Sequence, residues 1–547
     1  MTKLLRGGLA ASLLVVLLAS RPVEACGCFA PPSAAEPVIQ AGERILFAVR
    51  DGKVIAHIQL QYSGDAKDFG WLLPLPSVPT LRLGSDELFT RLAETTDPTF
   101  TSEFRGNGCP RSTSVGCGAR AALNTGRFAS EGVDAGASVL LTQSSIGPYD
   151  YAVLRADDRT AMFQWLADNR YFVPAGTDDA VGPYIHPGAY FLALKLKAGA
   201  SAGDVTPVVL EYPSALPMIP IVLTRVGATP NMGIQVWLLG NGRGIPRNYH
   251  HVVINDALLD WLNNGQNYSQ LVTRAVSAAP DKHAFVTDYA GPSEVMKDQL
   301  VPPGRFGTEA ELAKATTPAQ FVDTLLRKGF IDRSVAAGSS LPPAVVRLLL
   351  TDIPMPAPLA AKGVSPNQFL LNLGFYLGDY RTQNPDDFTG WTLAFDAPSL
   401  AQQVFAEFVT PLREANALFA EFPKLTRLYT TLSPEDMTAD PVFSFNPSLP
   451  DVARAHTSSF VMSCNGNTFT TEQGWMVEDL PALDAAPAAL RVEVLTEEGA
   501  PTVVVDNTRA IAATFKRADA PNQGCTTVDP MSLGLLVLMA ALRRRRA

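Results

Sequence analysis

The chain has 547 residues, 47% of them apolar and 18% charged, with 41 glycines and 43 prolines, a globular composition that excludes a disordered or polytopic chain. Its formal net charge is −9; residues 1–25 carry +2 and residues 526–547 carry +3, so the body between them carries −14. An acidic body without a basic stripe argues against nucleic acid and anionic lipid as its partners.

Lys3 and Arg6 precede the apolar run from Leu9 to Ala19, followed by Arg21-Pro22-Val23-Glu24-Ala25. These are the charged region, apolar core and small-residue exit of a secretory signal, predicting cleavage between Ala25 and Cys26 by signal peptidase. The run is too short to span a hydrocarbon core of about 30 Å. Cys26 after Ala25 would suit a lipoprotein, although Glu24 is a poor residue for a lipobox.

Ile45, Phe47 and Val49, then Val54, Ala56, Ile58, Leu60 and Tyr62, alternate with other residues around Asp51-Gly52, predicting a β-hairpin with a type I′ turn. His57 falls on the face opposite Ile58 and Leu60 and is expected to be a solvated surface residue. The proline-rich Trp71-Leu72-Leu73-Pro74-Leu75-Pro76-Ser77-Val78-Pro79 is expected to end that sheet edge. Thr160 is expected to cap a helix carrying Met162, Trp165, Leu166 and Asn169 that stops at Val173-Pro174. Strands are predicted at Tyr190 to Leu196, Pro220 to Thr224 and Gly233 to Leu238. Beyond Ala290-Gly291-Pro292 the period becomes helical. Thr317 as cap, Pro318 in the first turn, Phe321, Val322, Leu325 and Leu326 on one face and Gly329 after the end define one helix. Pro343 to Leu350, Ser365 to Leu377 and Ser399 to Leu412 are further candidates, with Ile353 to Pro358 as an extended linker. Residues 300–435 therefore read as mainly helical. From Asp451 strands return at Val492 to Leu495, Thr502 to Val505 and Ile511 to Phe515.

At the far end Gly524-Cys525 is followed by a polar spacer, twelve mostly apolar residues from Met531 to Leu542, and Arg543-Arg544-Arg545-Arg546. Twelve helical residues cover roughly 18 Å, too little to span a bilayer comfortably. The arrangement of Cys, apolar segment and arginine cluster resembles the MYXO-CTERM sorting signal, which implies cutting near Cys525 by a sorting protease. Six cysteines are present and none forms a CxxC pair. In an oxidising compartment Cys109 and Cys117 can close a small loop as a disulfide, while one of Cys26 and Cys28 can reach Cys464, a pairing the sequence leaves open.

Ala25-Cys26-Gly27-Cys28-Phe29 and Phe69-Gly70-Trp71-Leu72-Leu73-Pro74-Leu75-Pro76 resemble the bacterial family called domain of unknown function 2330. So do Tyr190 to Lys195, Tyr212-Pro213, Pro217 to Pro220, Asn267-Tyr268 and Ala284 to Gly291. The resemblance covers about residues 25–510; it implies a secreted or surface-exposed protein and brings no catalytic residues.

No catalytic reading stands out from the residues themselves. Gly199-Ala200-Ser201-Ala202-Gly203 matches the GxSxG string, but a strand follows it instead of a helix, so it reads as a hairpin turn and not a nucleophile elbow. His250 and His251 are adjacent and point to opposite faces of a strand, so they cannot chelate one metal together; His186, His283 and His456 are isolated. Asp157-Asp158, Asp178-Asp179 and Asp386-Asp387 read as turn or cap residues. The aromatic residues sit in apolar stripes and read as core.

The expected fold is α+β: a signal peptide over 1–25, a β-rich domain over 26–295, a mainly helical region over 296–440, a C-terminal β segment over 441–520 and a sorting signal over 521–547. The expected function is a non-catalytic scaffold or binding module of the cell envelope, without metal or cofactor. It is processed at Ala25, Cys26 and Cys525, stapled by Cys109 and Cys117, and touches the membrane through its C-terminal segment. A secreted hydrolase, peptidase- or glycosidase-like, is the alternative. A cleft with two carboxylates about 5–10 Å apart, or a Ser/Cys–His pair in contact, would mark it.

Overall fold

Asp51 and Gly52 take φ values of 52° and 72° between the strands Ile39–Arg50 and Lys53–Ser63, the two left-handed positions of a type I′ turn. From there the antiparallel register runs from Arg50↔Lys53 to Ile39↔Ser63, with one irregularity between Gln40 and Gly42. The computed structural model describes residues 39–63, 70–107, 140–171, 177–197, 205–332, 340–463 and 466–518. Ala25, all six cysteines, Gly199 to Gly203 and the C-terminal arginines lie outside them.

The hairpin belongs to a ten-stranded sheet. Across it the order is Thr502–Asp506, Ala489–Val494, His250–Ile254, Ala284–Pro292, Lys424–Leu432, Ala228–Gly240, Ile39–Arg50, Lys53–Ser63, Val208–Pro213 and Thr80–Leu83. Two neighbouring pairs are parallel, Ile39–Arg50 with Ala228–Gly240 and His250–Ile254 with Ala284–Pro292; the others are antiparallel.

Both faces of this sheet are covered. On one, Ile45, Phe47, Val54, Ala56, Val236 and Leu238 share a core with Leu271, Val272 and Ala275 of the helix Tyr268–Ser277. On the other, Leu46, Ala48, Ile55, Trp237 and Leu239 meet a helical layer built from Pro318–Arg327, Pro343–Asp352, Ala397–Val404 and Thr410–Glu421. Burial of each of the larger side chains among these, Leu, Ile, Val and Phe, stabilises by about 1.5–3 kcal/mol. The layer's first helix keeps its sequence signals: the Thr317 hydroxyl accepts from the Gln320 amide at 3.2 Å, Pro318 opens the first turn, and Gly329 follows the end at φ 80°. The last two helices are joined by a π turn, Phe405–Val409, immediately before Pro411. A proline lacks an amide and crowds the carbonyl four residues back, which the wider turn accommodates.

Two smaller sheets complete the α+β architecture. Gly70–Leu75, Tyr190–Leu196, Tyr149–Arg155 and Leu140–Ile146 form an antiparallel four-stranded sheet in that order. A five-stranded sheet joins Thr99–Asn107 in parallel to Ala455–Ser463, then continues through Gly466–Thr470, Trp475–Glu478 and Lys516–Arg517.

Several local expectations change. Gly70–Leu75 is a fully buried strand, with Pro74 opposite Phe191; it lies at a sheet edge, where proline is tolerated because outward positions need no ladder partner. The helix at 159 is capped by Asp158, not Thr160: its carboxylate accepts from the Ala161 amide at 3.0 Å, and the helix ends at Asp168. Ile221–Thr224 is a short helix because the Pro220 carbonyl accepts the Thr224 amide at 3.3 Å and the Asp440 carboxylate accepts the Val222 amide at 3.0 Å. A short apolar run does not separate strand from helix by period alone. Thr508–Ala512 is likewise helical, putting Ile511 and Phe515 on one buried face. The helix Ala357–Ala361 begins inside the expected linker. Lys424–Leu432, expected within the helical region, is a sheet strand. The strands Tyr190–Leu196 and Val208–Pro213 belong to different sheets and do not pair with each other.

Candidate functional site

The helix Asp86–Thr96 buries Leu88, Phe89, Leu92 and Thr96 against the sheet, with Phe89 edge-on to Trp237 at 6.0 Å. Asp86 and Glu87 fill its first turn, where negative charge suits the helix dipole. The turn before it is pulled onto the sheet by Gly84, whose amide donates to the Pro207 carbonyl at 2.6 Å; a Cβ at Gly84 would meet Pro207 at 3.0 Å.

Between this turn, the sheet and the helical layer lies a cavity of about 310 Å³. Its floor is Arg44 and Gln59, directly opposite each other on the first two strands. Asp86, Glu87 and Thr90 form one wall; Pro342, Pro343, Ala344 and Phe408 form an apolar wall; Gly84, Ser85, Thr206, Asp332 and Glu407 complete the lining.

The charges around the cavity differ in how they are satisfied. Glu87 is held by two nitrogens of Arg305, at 2.5 and 2.8 Å, and Glu407 by Arg347 at 2.6 Å. The Gln59 amide nitrogen donates to Asp86 Oδ1 at 2.6 Å, leaving Gln59 Oε1 buried with no partner. The Arg44 guanidinium makes no hydrogen bond and no ion pair within 4.0 Å among the described residues. Burial lowers the Arg44 pKa, opposed chiefly by Asp97. Burial also pushes the Asp86 carboxyl up to about 6, helped by nearby Asp332 and opposed by Gln59 and Arg44. Asp86 keeps some solvent contact through the crevice although protein surrounds it on nearly every side.

A buried polar seam runs inward from Arg44. Along the sheet Arg44 is followed by Gln235 and then Tyr429. Arg427 Nη1 lies 3.0 Å from Asp97 and 3.2 Å from Asp288, and its guanidinium sits over Trp237 at 5.7 Å. The contact with Asp288 is an ion pair off the hydrogen-bond direction, so Asp288 Oδ2 is buried without a hydrogen bond. Tyr268 donates to the other Asp288 oxygen.

Three of the histidines, His57, His251 and His283, are committed to the fold. His57, expected in solvent, is buried: its neighbours in register are Leu46 and Val209, beneath the helical layer. Burial lowers its pKa to about 3, and its Nδ1 has no partner. His251 lies between Glu493 Oε2, 3.1 Å from Nδ1, and Arg243 Nη2, 3.3 Å from Nε2. Since Arg243 can only donate, this arrangement assigns the proton to Nδ1 and leaves no lone pair for base catalysis. His283 Nε2 lies 2.9 Å from the Thr438 hydroxyl and 3.1 Å from the Asp436 carbonyl; the carbonyl requires a donor there, so this nitrogen does not activate the hydroxyl. His250, on the strand face opposite His251, is half-buried. Asp158 caps a helix, as expected, while Asp387 pairs with Lys362. Among the described residues no group of three His, Cys, Asp or Glu could hold a metal ion.

None of the crevice residues was marked by motif. A signal was present in Ile45-Leu46-Phe47-Ala48-Val49, whose unbroken apolarity marks a strand covered on both faces. Arg44, His57 and Gln59 then stand out as polar residues on a buried face.

A model of the family described as "Uncharacterized protein conserved in bacteria (DUF2330)" matches residues 22–321. This span holds Arg44, Gln59 and Asp86, while Asp332, Pro342 and Glu407 lie beyond it. No curated protein and no solved structure matches the chain.

Proposed function

The chain belongs to this family of uncharacterized bacterial proteins, and we propose that it is an exported binding module of the cell envelope whose ligand site is the Arg44 crevice. Export is supported by the signal-like segment ending at Ala25. Retention at the envelope is supported by the segment from Cys525 to the four terminal arginines, and stapling by the spacing of Cys109 and Cys117. N-terminal sequencing of the mature protein tests the first and should begin at Cys26. Replacing Arg543 to Arg546 with neutral residues tests the second and should release the protein into the medium. Non-reducing peptide mapping tests the third.

The observation that carries the binding reading is Arg44. A guanidinium held at the floor of a cavity, with its donors unused, is a docking point for an anionic or carbonyl group. Thermal melting against a panel of small polar compounds tests it. A compound that raises the melting temperature of the native chain but not of Arg44→Met supports the site; compounds acting equally on both, or on neither, refute it.

One observation favours the hydrolytic alternative. Asp86 and Asp332 line the same cavity, and Asp86 keeps its proton to about 6, as an acid–base pair requires. Turnover of a peptide or glycoside that is lost in Asp86→Asn with binding retained would establish that reading over simple binding.

A further inference from the structure

Resting on the binding-module reading, we infer that the crevice takes a free α-amino acid with an apolar side chain, its carboxylate on Arg44 and its ammonium on Asp86.

The central observation is a pair of opposite charges held apart. Arg44 and Asp86 line one cavity and feel each other's field, yet make no ion pair within 4.0 Å. The Arg44 backbone is fixed in the strand ladder between Gln59 and Gln235. Asp86 is clamped by the Gln59 amide at 2.6 Å and by its place in the helix. Opposite charges that share a cavity without touching fit a ligand that carries the complementary charges itself. The planar guanidinium suits a carboxylate bidentately, and a carboxylate accepts an ammonium.

The remaining lining selects among zwitterions. Glu87 and Glu407 are neutralised by Arg305 and Arg347, and Asp332 has a partner of its own, so these three do not call for a second cation. A dicarboxylate would place one anion beside Asp86, and a diamine would place one cation beside Arg44. Pro342, Pro343, Ala344 and Phe408 offer no polar side chain, so the substituent between the two charged ends is apolar. A cavity of about 310 Å³ is enough for an amino acid of leucine or phenylalanine size.

Calorimetric titration of the purified protein at pH 8 tests this, with L-leucine, L-phenylalanine, their amides and their N-acetyl derivatives. The free amino acids should bind, and the amides and N-acetyl derivatives should each be weaker by on the order of 10- to 100-fold, the worth of a hydrogen-bonded charge contact. Arg44→Met should weaken the free amino acid by a similar factor while leaving the amide unchanged; Asp86→Asn should do the same with respect to the N-acetyl derivative. The ligand-side comparison uses only the native chain, so it stands even if a variant fails to fold. Absence of binding by both amino acids, or an amide that binds as tightly as its acid, overturns the inference. If a monosaccharide, dicarboxylate or diamine binds instead and needs Arg44, the ligand class falls but the binding module stands. If none of these compounds binds, both fall.

Discussion

The guanidinium of Arg305 grips the carboxylate of Glu87 with two hydrogen bonds, Nη1 to Oε1 at 2.5 Å and Nη2 to Oε2 at 2.8 Å, across 218 residues of sequence. Both side chains are buried, and Arg305 also donates to the carbonyls of Leu300 and Gly329 and lies over the Phe306 ring at 4.2 Å. The pair ties the helix that carries Asp86 to the helical layer. Arg305→Met leaves Glu87 only its longer contact with Arg91, at 3.8 Å, and should cost about 3 kcal/mol. Combining it with Glu87→Gln should recover part of that loss. Urea denaturation of the two single variants and the double variant measures the coupling, and additive losses would show that the pair does not act as a unit.

His57 makes stability sensitive to acid. Its folded pKa, about 3, lies below the ordinary 6.5. The stability it contributes is therefore complete above pH 6.5 and is lost as pH falls toward 3, because only the unfolded chain takes up the proton. At pH 5 the loss should be about 2 kcal/mol relative to pH 7.5. His57→Leu removes this dependence and an orphaned ring nitrogen, so it should stabilise the protein more at pH 5 than at pH 7.5 in chemical denaturation. An equal effect at both pH values would place the imidazole in contact with water.

Asp86 works in the opposite sense. Its carboxyl is raised from 3.8 to about 6, so its contribution is most favourable below pH 3.8 and is lost as pH rises through 6. Asp86→Asn keeps an oxygen to accept from Gln59 and removes the charge. The variant should gain roughly 2 kcal/mol at pH 8 and little at pH 4, while losing affinity for the amino-acid ligand. A variant equally stable at both pH values relative to the native chain would show that the carboxylate is not strained by its surroundings.

The elements that could be read from sequence were those whose signals are local. Asp51-Gly52 dictates its turn from two dihedral angles, and Thr317, Pro318 and Gly329 bracket their helix without reference to the rest of the chain. Pro220 to Thr224 and Ile511 to Phe515 misled because apolar β-branched runs suit either strand or a buried helical turn, and distant Asp440 decides the first case. The crevice was unreadable for a related reason. Arg44 and Gln59 become its floor only when Pro343–Asp352 and Phe405–Val409 cover the sheet beside them. His57 shows the same dependence: alternation placed it on a second face, and only the covering helices make that face an interior.

The position of the strand Lys424–Leu432 governs the order in which the molecule can assemble. It sits between Ala284–Pro292 and Ala228–Gly240 and is the only link in the sheet between them among the described residues. Until it arrives, everything made earlier is two half-sheets with unpaired inner edges, the kind of edge that pairs with other chains. A fragment ending at residue 321, where the family match stops, should therefore aggregate, and adding the segment through residue 432 should rescue solubility. Contacts so distant in sequence also slow folding. Were the chain threaded outward N-terminus first, as the proposed export requires, the sheet would close only once most of the chain had reached the far side.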